Sequence, residues 1–461
     1  MLTQWRIKNF KAWQDTGPIK LAPLTVIFGE NSVGKSSLGQ LLQALKHSTI
    51  SSEIEQSLGL SDAQSSLDLG SFTQYLHQGC LAEPLAFELQ WHLPDTLLLD
   101  DVGQQNSVAA DTLRLQVSAI ADDNQQLQLQ TMQYIVSAQG QEIVAVSYTH
   151  TQRDTLLVHI KKPQACTYNI ALEDALRPEQ FYRWPVSQSL GAGFIAALAQ
   201  QAEKVFEGCH ALAALRAAPQ RRYHWAGERP VSVGDTGEFT VAALLAADAD
   251  HRRLQFSSDQ PELPFVEGVA YWLKQLGVAT EFSIQPVSAS ATEYQLMFKT
   301  HAETREVCLA DMGFGVSQLL PVLVQAFYAQ PHSTLWLQQP ETHLHSQVQA
   351  GLADMLIAAT HARENGQARN VQIVVESHSE HFLNRLQRRI AEGVISHEDV
   401  ALYFCSREGT QAKIEALSVD TYGEIANWPE HLFGDEMTDI AARALAALQR
   451  KRQTENGADD A

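Results

Sequence analysis

Nine residues near the N-terminus, Gly29-Glu30-Asn31-Ser32-Val33-Gly34-Lys35-Ser36-Ser37, combine two glycines, a lysine and two adjacent hydroxyls at the spacing G-x-x-x-x-G-K-S. Glycines let backbone N–H groups come close to an anion, a lysine there reaches the β- and γ-phosphates, and the hydroxyl after it ligands Mg²⁺. The flanks fit the same chemistry. Leu24-Thr25-Val26-Ile27-Phe28 is a continuous apolar, β-branched run, as a buried parallel strand requires. Leu38, Leu41, Leu42 and Leu45 then recur at helical spacing and define one apolar face. The loop therefore joins a strand to a helix N-terminus, where unpaired N–H groups and the helix dipole favour a polyphosphate. A nucleoside triphosphate is the expected ligand, with Lys35 on its phosphates and Ser36 on Mg²⁺.

Three further stretches carry candidate chemistry. Leu309-Ala310-Asp311-Met312-Gly313-Phe314-Gly315-Val316-Ser317-Gln318 is a glycine-rich turn ahead of an apolar helix pattern, a second candidate anion site at a helix start. Leu335-Trp336-Leu337 reads as a strand and runs into Gln338-Gln339-Pro340-Glu341-Thr342-His343-Leu344-His345. Acids at such a strand end hold Mg²⁺ and polarise the attacking water. Here those places are Gln338 and Gln339, and the nearest acid is Glu341 on the turn beyond. His343 and His345 with Glu341 suggest a metal site, but without a third placed ligand they read more simply as a packed turn. In Val374-Val375-Glu376-Ser377-His378-Ser379-Glu380-His381, His378 lies just past a strand end, at the sheet edge where α/β ligands bind, and can sense a γ-phosphate.

These motifs need a scaffold, and composition bounds it. The 461 residues suffice for two or three units with their own cores, and 45% hydrophobic with 19% charged residues is ordinary for a globular protein. A formal charge of −20 argues against broad non-specific binding to nucleic acid. Five scattered cysteines, no apolar leader and no apolar run long enough to span a bilayer point to a cytoplasmic protein without a membrane segment. The pattern predicts an α/β fold. Residues 1–79 form an N-terminal lobe with the phosphate loop, and 80–262 an antiparallel β-lobe with a helical insertion. A C-terminal α/β lobe spans 263–408, a cap 409–449 and a polar tail 450–461. Within this scheme 48–66 is a polar connection and 95–111 a long hairpin loop, with helices over 188–208, 238–247 and 265–276. A hairpin is expected from Val400-to-Cys405 and Lys413-to-Val419 strands.

The motifs, in this order and spacing, resemble the ATP-binding-cassette heads of the SMC, RecF and Old-nuclease group of AAA-type ATPases. The opening RIKNFKAW and PLTVIFGENSVGKSS are similar to that group's N-terminal lobe. A closer resemblance is to a bacterial subfamily of unknown function with relatives in phage-defence loci. It rests on LDLGSF, LRAAPQRRY with VGDTGE, LADMGFGVSQLLPVL, QPETHLHS, ESHSEHFLNRLQRRI and YGEIANWPEHLFGD, and covers nearly the whole chain.

The resemblance implies an ABC-type head that binds ATP and Mg²⁺. Gly29, Asn31, Ser32, Gly34, Lys35, Ser36 and Ser37 would belong to Walker A, and Gln78 or Gln74 would be the Q-loop glutamine. Gly313, Gly315, Ser317 and Gln318 would form the signature, Gln338 and Gln339 would stand at Walker B, and His378 would be the switch histidine. Relatives show Glu-Gln or Glu-Glu where this chain has Gln338-Gln339. Glutamine keeps the shape and loses the charge. Hydrolysis would then be slow with ATP acting as dimer glue, or an acid such as Glu341 or Glu376 would substitute, or Gln338 would be an introduced trap. No acidic cluster of the Old-type nuclease follows residue 405, and Trp428 and Phe433 of the cap are expected to pack on the head. The implied partners are a second copy (or a higher oligomer) across the ATP sites and an effector protein. DNA ranks second, its cues being Arg216, Arg221, Arg222 and Arg229 and, separately, Arg385, Arg388 and Arg389; the alternative for the 216–229 set is contact with ATP phosphates or ordering of the loop.

Overall fold

The strand that carries the phosphate loop, β4 (Leu24–Gly29), is buried along its whole length and lies inside a six-stranded sheet. Its neighbours explain why it is apolar on both faces. The computed structural model describes residues 1–50, 69, 72–102, 105–121, 127–150, 155–161, 165–171, 181–183, 193–287, 292–301, 303–429, 443 and 445–446. N-terminal to β4 are β1 (Leu2–Phe10), β2 (Trp13–Asp15) and β3 (Ile19–Lys20). They belong to a second, antiparallel sheet, in which β1 pairs with β2, β3 and β5 (Leu85–Val102). That sheet continues outward through β6 (Gln105–Ala121), β7 (Leu127–Ala138), β8 (Gln141–Thr149), β9 (Thr155–Ile160) and β10 (Cys166–Ala171).

The six-stranded sheet runs in the order β11 (Cys209–Leu212), β12 (Thr334–Gln338), β13 (Gln372–Glu376), β4, β14 (Val400–Glu408), β15 (Gln411–Leu417). Every pairing is parallel except the β14–β15 hairpin at the edge, which follows the sequence expectation. Period-two alternation sends its side chains to opposite faces. Ile27, Trp336 and Val374 join the core of α1 (Lys35–Ile50), α2 (Gly193–Glu207) and the antiparallel lobe. Leu24, Val26, Phe28, Leu335, Leu337, Ile373 and Val375 face α3 (Thr240–Ala249), α4 (Phe265–Gln275), α5 (Phe314–Tyr328), α6 (Ser346–His361) and α7 (Glu380–Ala391). The result is an α/β head with an antiparallel β-lobe packed over α1. Leu38, Leu41, Leu42 and Leu45 are all buried there, as their spacing predicts, and Trp5 Nε1 donates to Leu38 O at 3.1 Å.

Two expectations change. Residues 95–111 are not a hairpin loop but the far ends of β5 and β6, paired from Leu97↔Ala110 to Val102↔Gln105. Cross-strand pairing satisfies a backbone whose Asp, Gln and Ser content reads as loop. Trp428 is not buried but 47% exposed, while Phe433 lies outside the described residues. The connection at 51–66 and the start of the helix expected from 188 are also outside them; the described helix is α2. No described helix is long and apolar enough to cross a membrane.

The helix after the phosphate loop passes close over the sheet at Gly39 of α1, against Trp336 of β12. A Cβ at Gly39 would stand 2.7 Å from the indole, so the ring would have to move. Gly39→Val is expected to destabilise the protein by about 1–3 kcal/mol through overpacking. Thermal unfolding measures this, and an unchanged Tm would contradict the packing described.

Candidate functional site

The phosphate loop is held at both glycines. Gly29 has φ +145°, and a Cβ there would meet Cys405 O of β14 at 2.2 Å. Gly34 has φ +106°, and its Cβ would meet Ala12 at 2.5 Å. Both positions therefore exclude any side chain. Trp13 Nε1 donates to Gly34 O (3.1 Å) and to Ser37 Oγ (2.9 Å), and Ser37 Oγ donates to Gly34 O at 2.6 Å, so Ser37 serves the loop's own shape. Asn31 and Ser32 are exposed at the tip, with Ser32 at φ 60°. Lys35 is buried and its Nζ donates to Gly29 O (2.9 Å) and Glu30 O (2.6 Å), using two of its three protons. Burial lowers its pKa, against the nearby charges of Glu376, Glu341 and Glu30.

Next to this loop the strand ends bring acids and amides together. Gln338 ends β12 in register with Glu376 of β13, which is in register with Ile27 of β4. Glu376 is 1% exposed, and its Oε2 accepts from Ser36 Oγ at 2.6 Å while Oε1 accepts from Trp336 Nε1 at 2.5 Å. Gln339 adopts φ 43° and donates its N–H to Glu376 O at 2.8 Å, which turns the chain away from the sheet. Glu341 is 6% exposed; Oε1 accepts from His378 N at 2.6 Å, and Oε2 is buried without a partner. Burial raises the pKa of both glutamates. His378 also has a buried, unpartnered Nε2, and burial followed by the charge of Lys35 lowers its pKa to about 4.

Arg216 closes the group. Its Nη2 donates to Gln338 O (2.9 Å) and Gln339 O (3.4 Å), its backbone N–H donates to Gln318 Oε1 (3.4 Å), and Nε and Nη1 are buried without partners. Burial lowers its pKa to about 10, against the charge of Glu341. Gln318 Nε2 is likewise unpartnered. Buried polar atoms are almost always hydrogen-bonded, and each orphan costs about 1–3 kcal/mol. So many around one turn, beside a loop whose glycines admit no Cβ, fit a triphosphate and its metal.

The glycine-rich turn behaves differently from its sequence reading. Gly313 caps α5, and Gly315 lies so close to the 343 turn that a Cβ would meet His343 O at 2.7 Å. Phe314 is 54% exposed with its ring edge-on to His343. Ser317 is buried and donates to Phe314 O at 2.7 Å, and Gln318 is buried toward Arg216. Of the expected signature, only the Gly313 end faces outward. His343 packs on Phe314, and His345 Nδ1 accepts from Gln347 N as the cap of α6 (3.4 Å). Gln78 is exposed in the turn His77–Gly79, whose His77 is bonded to Asn9 Oδ1 and Lys11 O beside the loop-covering Ala12. Both arginine tracks carry acid partners: Arg221 with Asp311, Arg222 with Glu293, Arg229 with Asp250, Arg385 and Arg389 with Asp354, and Arg388 with Glu392.

Residues 240–384, which hold the turn before α5 and the ends of β12 and β13, match the family described as "AAA domain, putative AbiEii toxin, Type IV TA system". The match places an AAA domain within residues 240–384 of this chain. Residues 395–442, after this AAA domain, match a second family, "Protein of unknown function (DUF3696)". Among solved structures, an SMC head bound to the C-winged helix domain of ScpA is 10% identical, with 91% of this chain and 98% of that chain covered and a TM-score of 0.45. The SMC head of Thermotoga maritima is 10% identical (91% and 99% covered, TM-score 0.38). An SMC head with an extended coiled coil, bound to the C-terminal domain of ScpA derived from Pyrococcus furiosus, is 9% identical (90% and 96% covered, TM-score 0.40). No curated protein matches the chain.

Sequence reasoning did not list Trp13 or Trp336 for the site, and it named Arg216 as a cue for DNA or for ATP phosphates rather than as a partner of the Gln338 turn. Only the arginine gave a signal, as the first of the basic stretch 216–229. The protonation states yield a test. His378 titrates near 4 in the folded chain against 6.5 ordinarily, and buried His210 near 3. Between these values the unfolded chain binds protons that the folded chain refuses, so stability falls as pH drops below about 6.5. The raised pKa values of Glu341 and Glu376 act with the opposite sign. The histidine contribution is therefore the difference between wild type and His378→Gln. Tm measured from pH 7 to pH 4 should fall more for wild type than for the variant, and parallel curves would contradict a half-buried, neutral His378.

Proposed function

We propose that this chain is an ATP-driven switch: two copies close around ATP and Mg²⁺, and closure controls an effector protein. The observation that carries this reading is the separation of two half-sites on one molecule. The loop with Lys35 and Ser36 follows β4. The Gly313 end of α5 packs on the turn after β12, with β13 between the two strands. Adjacent strands are spaced by about 4.8 Å, so the ends of β4 and β12 stand about 10 Å apart across the sheet. A second copy would bring its outward-facing Gly313 end onto the first copy's phosphates.

In this reading residues 29–37 cradle the phosphates, Lys35 pairs with the β- and γ-oxygens, and the Ser36 hydroxyl faces Mg²⁺. When bound, the metal neutralises charge on the transferring phosphoryl group. Gln338 and Gln339 occupy the strand end as neutral amides and add no charge there. Glu341 offers its unpartnered Oε2 as proton acceptor for water, its raised pKa suiting a general base. His378 is neutral at pH 7 and can donate from Nε2 to the γ-phosphate. Hydrolysis is then slow, and the ATP-bound dimer is long-lived. The matching family's description, a putative toxin of a type IV toxin–antitoxin system, supports a role alongside a partner protein, and we take that partner to be an effector.

Gel filtration with light scattering tests the switch. A monomer without nucleotide should become a dimer with ATP and Mg²⁺. Lys35→Ala should abolish both ATP binding and dimerisation. Gly313→Glu should abolish only dimerisation, because a Cβ at Gly313 meets nothing within 4 Å in the isolated chain. A monomer under every nucleotide condition would contradict closure around ATP.

A further inference from the structure

Mg²⁺ is a hard cation that prefers carboxylate and hydroxyl oxygens in nucleotide sites. The strand end that would ordinarily supply the carboxylate ends here in Gln338 and Gln339. The carboxylate that touches Ser36 comes from the next strand. Glu376 ends β13, between β12 and β4, and its Oε2 lies 2.6 Å from Ser36 Oγ.

Its setting is fixed at the other oxygen. Oε1 accepts from Trp336 Nε1 at 2.5 Å, and the indole is itself wedged under α1 at Gly39. The carboxylate is thereby clamped between an indole of β12 and the first turn of α1. A serine hydroxyl has one proton and two lone pairs. With the proton committed to Glu376, both lone pairs remain for a cation. Were the role only to satisfy Ser36 and Trp336, a neutral acceptor would suffice. A carboxylate buried to 1% exposure, with Lys35 among its nearby charges, carries a desolvation cost that a neutral acceptor avoids.

We infer that Glu376 supplies the negative charge of the Mg²⁺ site that Gln338 and Gln339 do not, acting on the metal through the Ser36 hydroxyl. It is a positioning residue one strand removed from the usual acid. The inference rests on the nucleotide-switch reading and adds the source of the charge.

The test is calorimetric titration of the full chain with ADP, once in EDTA and once with excess Mg²⁺, with the ratio of the two affinities as the readout. Wild type should bind ADP at least about tenfold more tightly with the metal. Glu376→Gln should keep its EDTA affinity and lose most of that enhancement, and adding Gln338→Glu to it should restore the enhancement. Full enhancement in Glu376→Gln would overturn the inference, as would an equal loss of affinity in EDTA, which marks a merely structural role. Should Glu376→Gln fail to fold, Gln338→Glu alone decides. A site already charged by Glu376 should gain less than about threefold in enhancement, and a gain of about tenfold or more would show that the acid was missing. If wild type binds neither ADP nor ATP under any condition, the nucleotide reading itself falls, whatever Glu376 does.

Discussion

The hydrogen bond from Ser36 Oγ to Glu376 Oε2 is the constraint around which the head is arranged. It joins the first turn of α1 to the end of β13, so loop, helix and sheet must keep one register. Several otherwise odd choices follow from it. Trp336 lies on the α1 face of β12 because its indole N–H is the second donor to Glu376, and Gly39 is the residue that lets α1 pass over that ring. Gly29 lets β4 run close enough to β14 for Glu30 N to reach Cys405 O at 3.2 Å. A buried carboxylate needs donors and a nearby cation, and this one has two donors and the ammonium of Lys35.

A second group lies on the other side of the β12 strand end. Arg216 holds the carbonyls of Gln338 and Gln339 and, through its backbone, the side chain of Gln318 on α5. Glu341 holds the backbone of His378. The turn at Gln339 is therefore linked to α5 through Arg216, and the Glu341 turn to His378, two residues past β13. These links give the nucleotide pocket a mechanical connection to the outward-facing Gly313 end. They also explain why Ser317 and Gln318 turn inward, since the helix start that carries them packs against the turn at His343.

Much of this was legible in the sequence. The phosphate loop could be read because its glycines, lysine and serine have few alternative uses at that spacing, and α1 because its leucines repeat with helical period. The strand leading into Gln338 was placed to within a residue of its observed end. The lateral order of the strands was not legible, because sheet register is set by pairing between segments far apart in sequence. The contact of Glu376 with Ser36, 340 residues away, depends on that order. The loop expected at 95–111 failed for a related reason: polar residues on an edge-ward antiparallel ribbon look like a turn until their cross-strand partners are known. Trp428 shows the converse, an aromatic whose type suggests burial and whose place leaves it exposed.

The most direct measurement is a crystal structure of the chain with Mg²⁺ and a non-hydrolysable ATP analogue. The account requires Mg²⁺ on Ser36 Oγ, with that hydroxyl still donating to Glu376. It also requires Gly313 of the partner subunit at the γ-phosphate. A metal held by Gln338 or Gln339, with Glu376 turned away from Ser36, would contradict it.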